Sequence, residues 1–191
     1  MSLTFARIAW TTALCSALVG CGHSIGRDAP HGTVLNPPRP AATFDLPATT
    51  GGTFDLAASK GHLVVLYFGF THCADTCPQT LAHINAALKD ARLTEARAVF
   101  VTIDPRRDTI AAERAFFAKA AVRAIGVTGT RAQLAPIWKA YGVSVQPQPT
   151  DIAHSDYIYA IDAAGRLREV LHADVPVVAL AADLRALARV Q

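Results

Sequence analysis

Charge is scarce in this chain. Asp, Glu, Lys and Arg make up 17% of its 191 residues, the formal net charge is +3, and no run of like charge stands out. Nucleic-acid binding needs a concentrated basic footprint, so nucleic acid is excluded as a partner. No apolar run approaches the roughly 20 residues that a membrane-spanning helix requires. Internal repeats and long low-complexity segments are absent. Cysteine is limited to four residues, and hydrophobic residues reach 51%. One domain of ordinary size can therefore bury its core without disulfide staples.

What is present begins with an unusual start. Arg7 is the only charge in the first twenty residues, and the apolar stretch "IAWTTALCSALVG" follows it. That length suits a signal-peptide core. It runs into "LVGC" at Leu18 to Cys21, which resembles the lipobox of bacterial lipoproteins, where the chain is cut before the cysteine and the cysteine is lipidated. The expectation is a signal peptide over 1–20, a lipidated Cys21, and a domain held by its lipid on the periplasmic side of a bacterial membrane. Residues 21–42, rich in glycine and proline and lacking any apolar period, read as a flexible tether, with His23 and His31 as solvated linker residues. The domain then covers 43–191.

Within it, "TFDLPATTGGTFDL" predicts a hairpin around Gly51-Gly52. The near-continuous apolar run "HLVVLYFGF" predicts a central strand buried on both faces. Pro78 can open a helix running to about Asp90. "RAVFVTI" predicts a second buried strand, and Asp108 or Thr109 can cap a helix through Ala120. A shorter helix is expected over about 131–141, with Pro136 straining its first turn. "YIYAID-AAG-RLREVL" predicts a hairpin, and "VPVVALAADLRALARV" a closing amphipathic helix. The fold class is α/β: a mixed sheet with helices on both faces and an added N-terminal β-hairpin.

The segment "YFGFTHCADTCPQTL", residues 67–81, places Cys73 and Cys77 between the central strand and its helix. Such a pair points to a thioredoxin-like architecture. A helix start offers unpaired N–H groups and partial positive charge, which favour thiolate. Cys77, directly before Pro78, stands at that start. A staple here would close a very short loop and contribute little stability, so chemistry is the better reason for the pair. Redox motifs usually have two residues between the cysteines; the third residue here leaves room for an ion. Thioredoxin-like reductases carry a cis-proline before the strand that faces their cysteines. Here Asp156 takes about that place, and no proline lies between Pro149 and Pro176. His154, two residues earlier, can reach the cysteines from its loop. Two thiolates and an imidazole suit Cu(I), and zinc accepts the same ligands. His72 stands beside Cys73 and can touch the site; His62, His83 and His172 need no function.

Three segments together resemble the Sco (SenC) family of copper-delivery proteins: "YFGFTHCADTCPQTL", "VTIDPRRDT" at 101–109, and "HSDYIYAIDAAGRL" from His154. The resemblance covers about residues 43–188. It implies a thioredoxin-like fold, copper as Cu(I) or Cu(II) held by Cys73, Cys77 and His154, and assembly of the dinuclear copper centre of cytochrome c oxidase subunit II. Ala74 stands where the family usually has proline. Ala153 replaces an acidic residue that would orient His154. Asp104 and Asp108 read as turn and cap residues rather than ligands. A different reading is a thiol-disulfide oxidoreductase reducing client cysteines through Cys73 and Cys77. A peroxiredoxin-like peroxidase fits less well, because Ala74 holds the place of that family's threonine relative to Cys77. A copper or redox sensor acting through partner binding is also compatible with the pattern.

Overall fold

The computed structural model describes residues 29–147 and 152–190. The signal-like segment, Cys21 and His23 lie outside the described residues. Among the described residues no helix is long and apolar enough to cross a membrane.

The apolar run after His62 forms β4 (Val64–Gly69), buried at every position. It pairs in parallel with β5 (Arg97–Thr102) and antiparallel with β9 (Tyr157–Ile161). Its carbonyls and amides are thus satisfied on both sides, as a strand with no wet face requires. The sheet continues through β6 (Ile125–Val127) at one edge. On the other side come β10 (Arg166–His172) and then β1 (Thr33–Pro40), in the order β1-β10-β9-β4-β5-β6. The expected hairpin over 43–56 is β2 (Asp45–Pro47) and β3 (Thr53–Asp55), with Gly51 and Gly52 both at positive φ in its turn.

Helices α1 (Thr76–Asp90), α2 (Ile110–Ala120), α3 (Arg131–Ala140) and α4 (Val177–Leu187) cover the sheet. Tyr67, Gly69 and Phe100 look towards α1 and α2, where Cys77 and Phe117 meet them. Phe68 and Tyr159 look the other way, onto Tyr141 at the end of α3. Helix α4 packs beside α1. Pro78 is the third residue of α1, where no intrahelical N–H is needed. Thr109, not Asp108, caps α2, its side chain accepting from the Ala112 N–H. Pro136 lies inside α3, whose start is secured by a capping box between Thr130 and Gln133.

Four strands and one histidine differ from the sequence reading. Residues 33–40, expected within the tether, form the edge strand β1 on β10; three prolines are tolerated because an edge strand needs only one of its two hydrogen-bonding sides. His31 is not simply solvated linker. Its backbone N–H donates to Asp183 Oδ2 at 3.0 Å and its ring Nδ1 lies 3.2 Å from the same oxygen. The three-residue β6 and the small hairpin of β7 (Val145–Pro147) with β8 (Ile152–His154) carry too few residues to show a period.

Candidate metal and thiol site

The site grows from the end of β4. Gly69 ends that strand because nothing larger fits: a Cβ there would stand 2.7 Å from the Phe100 ring and 3.0 Å from Cys77 Sγ. The chain then turns through Phe70, Thr71 and His72 into α1. The turn is held from behind by Asp108, which is fully buried. Its carboxylate accepts from the Thr71 N–H at 3.1 Å, the Thr71 hydroxyl at 2.6 Å and the Thr102 hydroxyl at 2.6 Å. Asp108 is therefore the anchor of the thiol loop; the sequence pointed first to a turn and cap role, with lining the site or guiding a partner as the other. Burial raises its pKa, with these donors opposing the rise. Asp104, also buried, pairs with Arg107. His72 is exposed and hydrogen-bonded to the Thr71 hydroxyl at 3.2 Å.

Both thiols are free of any disulfide, with Cys73 half-buried and Cys77 buried. They are brought together, but they are not equivalent. Cys73 Sγ accepts from the Cys77 N–H at 3.2 Å. A hydrogen bond with the Cys77 thiol, helped by the amides of Cys77, Asp75 and Thr76, outweighs burial and lowers the Cys73 pKa to about 6. Cys77 moves the opposite way, raised by its hydrogen bond to Cys73, by burial and by the Cys73 charge. The thiolate of the pair is thus Cys73, not the Cys77 that its place before Pro78 favoured. Cys77 is already inside the helix, whereas Cys73 sits just outside the helix start, where the free amides point. Cys73 also opens onto a groove of about 640 Å³ between α1 and α2, lined in part by His72, Ala112, Phe116 and Lys119.

His154 ends β8 at the same end of the sheet. Its ring meets Phe70 edge to face with centroids 6.0 Å apart, and Nδ1 lies 2.8 Å from the Ser155 carbonyl. With Nδ1–H donating there, Nε2 is the nitrogen left for a ligand. Among the described residues no group of three or more His, Cys, Asp or Glu is close enough to hold a metal ion. The structure gathers the two soft donors and sets the imidazole beside Phe70, three residues from Cys73, without closing the triad. The chemistry of the thiol pair fits copper(I).

Two residues escaped the sequence reading of the site. Tyr67 on β4 reaches Cys77, its hydroxyl 3.6 Å from Sγ, and the same hydroxyl donates to Asp156 Oδ1 at 2.9 Å. Asp156, noted only as the residue in the proline's place, faces this hydroxyl. Tyrosine in an apolar strand carries no signal that its hydroxyl meets a sulfur ten residues on.

The SCO1/SenC family model matches residues 34–189. The chain is 34% identical over 116 residues to a mitochondrial SCO2 homolog of Bos taurus, covering 56% of this chain and 44% of that protein. It is 31% identical over 140 residues to a SCO2-like protein of Rickettsia conorii, covering 69% and 68%. It spans less than half the length of the bovine relative. Among solved structures, ScoI of Bradyrhizobium japonicum with copper bound is 27% identical with a TM-score of 0.69, covering 77% of this chain and 98% of that one.

Proposed function

The chain belongs to the SCO1/SenC family, and on that premise we propose that it carries one copper ion on Cys73, Cys77 and His154 and delivers it to the dinuclear copper centre of cytochrome c oxidase subunit II. Copper is cargo here, so its ligands must be reachable. The observation that carries the reading is the thiol pair itself: a half-exposed Cys73 biased to thiolate beside a buried Cys77, on a loop clamped by Asp108. A soft pair of this kind selects Cu(I). The copper-bound state of the Bradyrhizobium neighbour supports the same cargo. His154, beside Phe70 with Nδ1 on the Ser155 carbonyl, would complete the set through Nε2. Ligand exchange with client cysteines then proceeds from the open Cys73 side. Cys21, lipidated, would hold the domain at the periplasmic face of a bacterial membrane, with residues ahead of β1 as the tether.

The test is a Cu(I) titration against a competing chelator. The reduced protein lacking its first 21 residues is compared with His154→Ala. One tightly bound copper in the wild type, much weakened in the variant, is the expected result. Equal and poor binding by both proteins sinks the copper reading.

The low pKa of Cys73 favours a second reading, reduction of client disulfides. The Cys73 thiolate attacks a client disulfide and releases one client thiolate. Cys77 then displaces the second client sulfur, leaving a Cys73–Cys77 disulfide and a client dithiol. This activity needs both cysteines and is indifferent to His154→Ala.

A further inference from the structure

Tyr67 and Cys77 are both fully buried, and the Tyr67 hydroxyl stands between Cys77 Sγ at 3.6 Å and Asp156 Oδ1 at 2.9 Å. A phenol has one hydrogen and can serve only one of these neighbours. At 2.9 Å the Asp156 oxygen is at full hydrogen-bond distance, whereas the sulfur at 3.6 Å is the longer contact. The hydrogen therefore goes to Asp156, and the phenol oxygen, which also meets the Thr80 side chain, has none left for the sulfur. Cys77 Sγ also meets Cys73 and the Phe70 backbone.

We propose that Asp156 is a positioning residue for the copper site: by holding the Tyr67 hydrogen, it keeps the Cys77 sulfur free of that hydrogen bond and a strong donor to the metal. The proposal rests on the copper reading above. Hydrogen bonding around a ligating sulfur tunes the redox preference of a copper site. A bond donated to the sulfur draws electron density from it and favours the lower oxidation state. Asp156, by diverting that bond, biases the site towards Cu(II). The same short segment that bears His154 carries this carboxylate two residues on, so one element supplies a ligand and adjusts another.

Asp156→Ala tests it by removing the acceptor. The Tyr67 O–H, having lost its partner at 2.9 Å, turns to the Cys77 sulfur at 3.6 Å. The expected result is a sulfur-to-Cu(II) charge-transfer band at higher energy. The Cu(II)/Cu(I) equilibrium should move about tenfold towards Cu(I), which is about 60 mV for a one-electron couple. In a Tyr67→Phe background the same substitution should do neither. An equal shift in both backgrounds would mean that only the lost charge acts, and overturns the relay; so does no shift in either. A second arm needs no copper. In the reduced, metal-free protein the infrared S–H stretch of Cys77 should move in Asp156→Ala and stay still in the double variant. If the wild type binds no copper, the copper reading fails and this arm alone decides the relay, an unmoved band overturning it.

Discussion

Glu113 offers the sharpest test of the packing around the thiol loop. It lies on α2 and is fully buried, and neither carboxyl oxygen has a hydrogen-bond partner among the described residues. Its carboxyl fills the space over Gly126, where a Cβ would collide with it. Burial, and then the charge of Asp108, push its pKa from 4.5 up to about 8. In the unfolded chain the group ionises near its ordinary value. Between these two values the native state holds a proton that the unfolded state has lost, so stability falls as pH rises through the window. It is fully present below 4.5 and levels off above about 8. At about 1.4 kcal/mol per pH unit the whole change is roughly 4–5 kcal/mol. Glu113→Gln is neutral throughout and removes this slope. Urea unfolding of both proteins from pH 5 to pH 9 should show nearly equal stability differences near pH 5 that grow by several kcal/mol in favour of the variant, then stay constant. Two stability curves that run parallel across the range would refute the assignment of a neutral, unpaired carboxyl.

Other outcomes follow from the same contacts. Alkylation of Cys73 should show a pH inflection near 6, and Cys77→Ala should move it upward by removing the thiol that bonds to it; an unmoved inflection would assign the thiolate to the amides alone. Asp108→Ala leaves the Thr71 N–H and the Thr71 and Thr102 hydroxyls without their acceptor. It should cost on the order of 3 kcal/mol in urea unfolding, with Asp108→Asn costing less. A neutral result would deny that Asp108 anchors the loop. At Gly32 an added Cβ would stand 2.7 Å from both the Leu171 side chain and the Val170 carbonyl. Gly32→Ala should therefore cost about 1–3 kcal/mol and speed amide exchange along β1, while unchanged exchange would mean that β1 is not seated through this residue.

The central strand, the hairpins over 43–56 and 157–172 and all four helices were legible because each carries a long apolar pattern or a turn and cap signal of its own. Edge strand β1 was not, because a segment with three prolines joins a sheet only when β10 offers a free side. The short β6, β7 and β8 have no period to read and exist by pairing. Cys73, Cys77 and His154 were legible as candidate ligands; the structure brings the two cysteines together and sets His154 beside Phe70. The direction of thiolate bias was not legible. It depends on which sulfur lies outside the helix start and which lies within it, a difference of one turn of backbone.

Sequence alone determined the α/β order, the placement of two cysteines at a strand–helix junction, and the family to which the motifs belong, since these follow from local pattern and chain order. Tertiary structure decided the rest. Asp108 meets Thr71 across 37 residues, and Asp156 meets Tyr67 across 89. A side chain's hydrogen bonds to a distant strand leave no trace in its own neighbourhood. Only the assembled sheet, which sets β4, β5 and β9 side by side, makes an anchor of one aspartate and sets the other against the tyrosine behind Cys77.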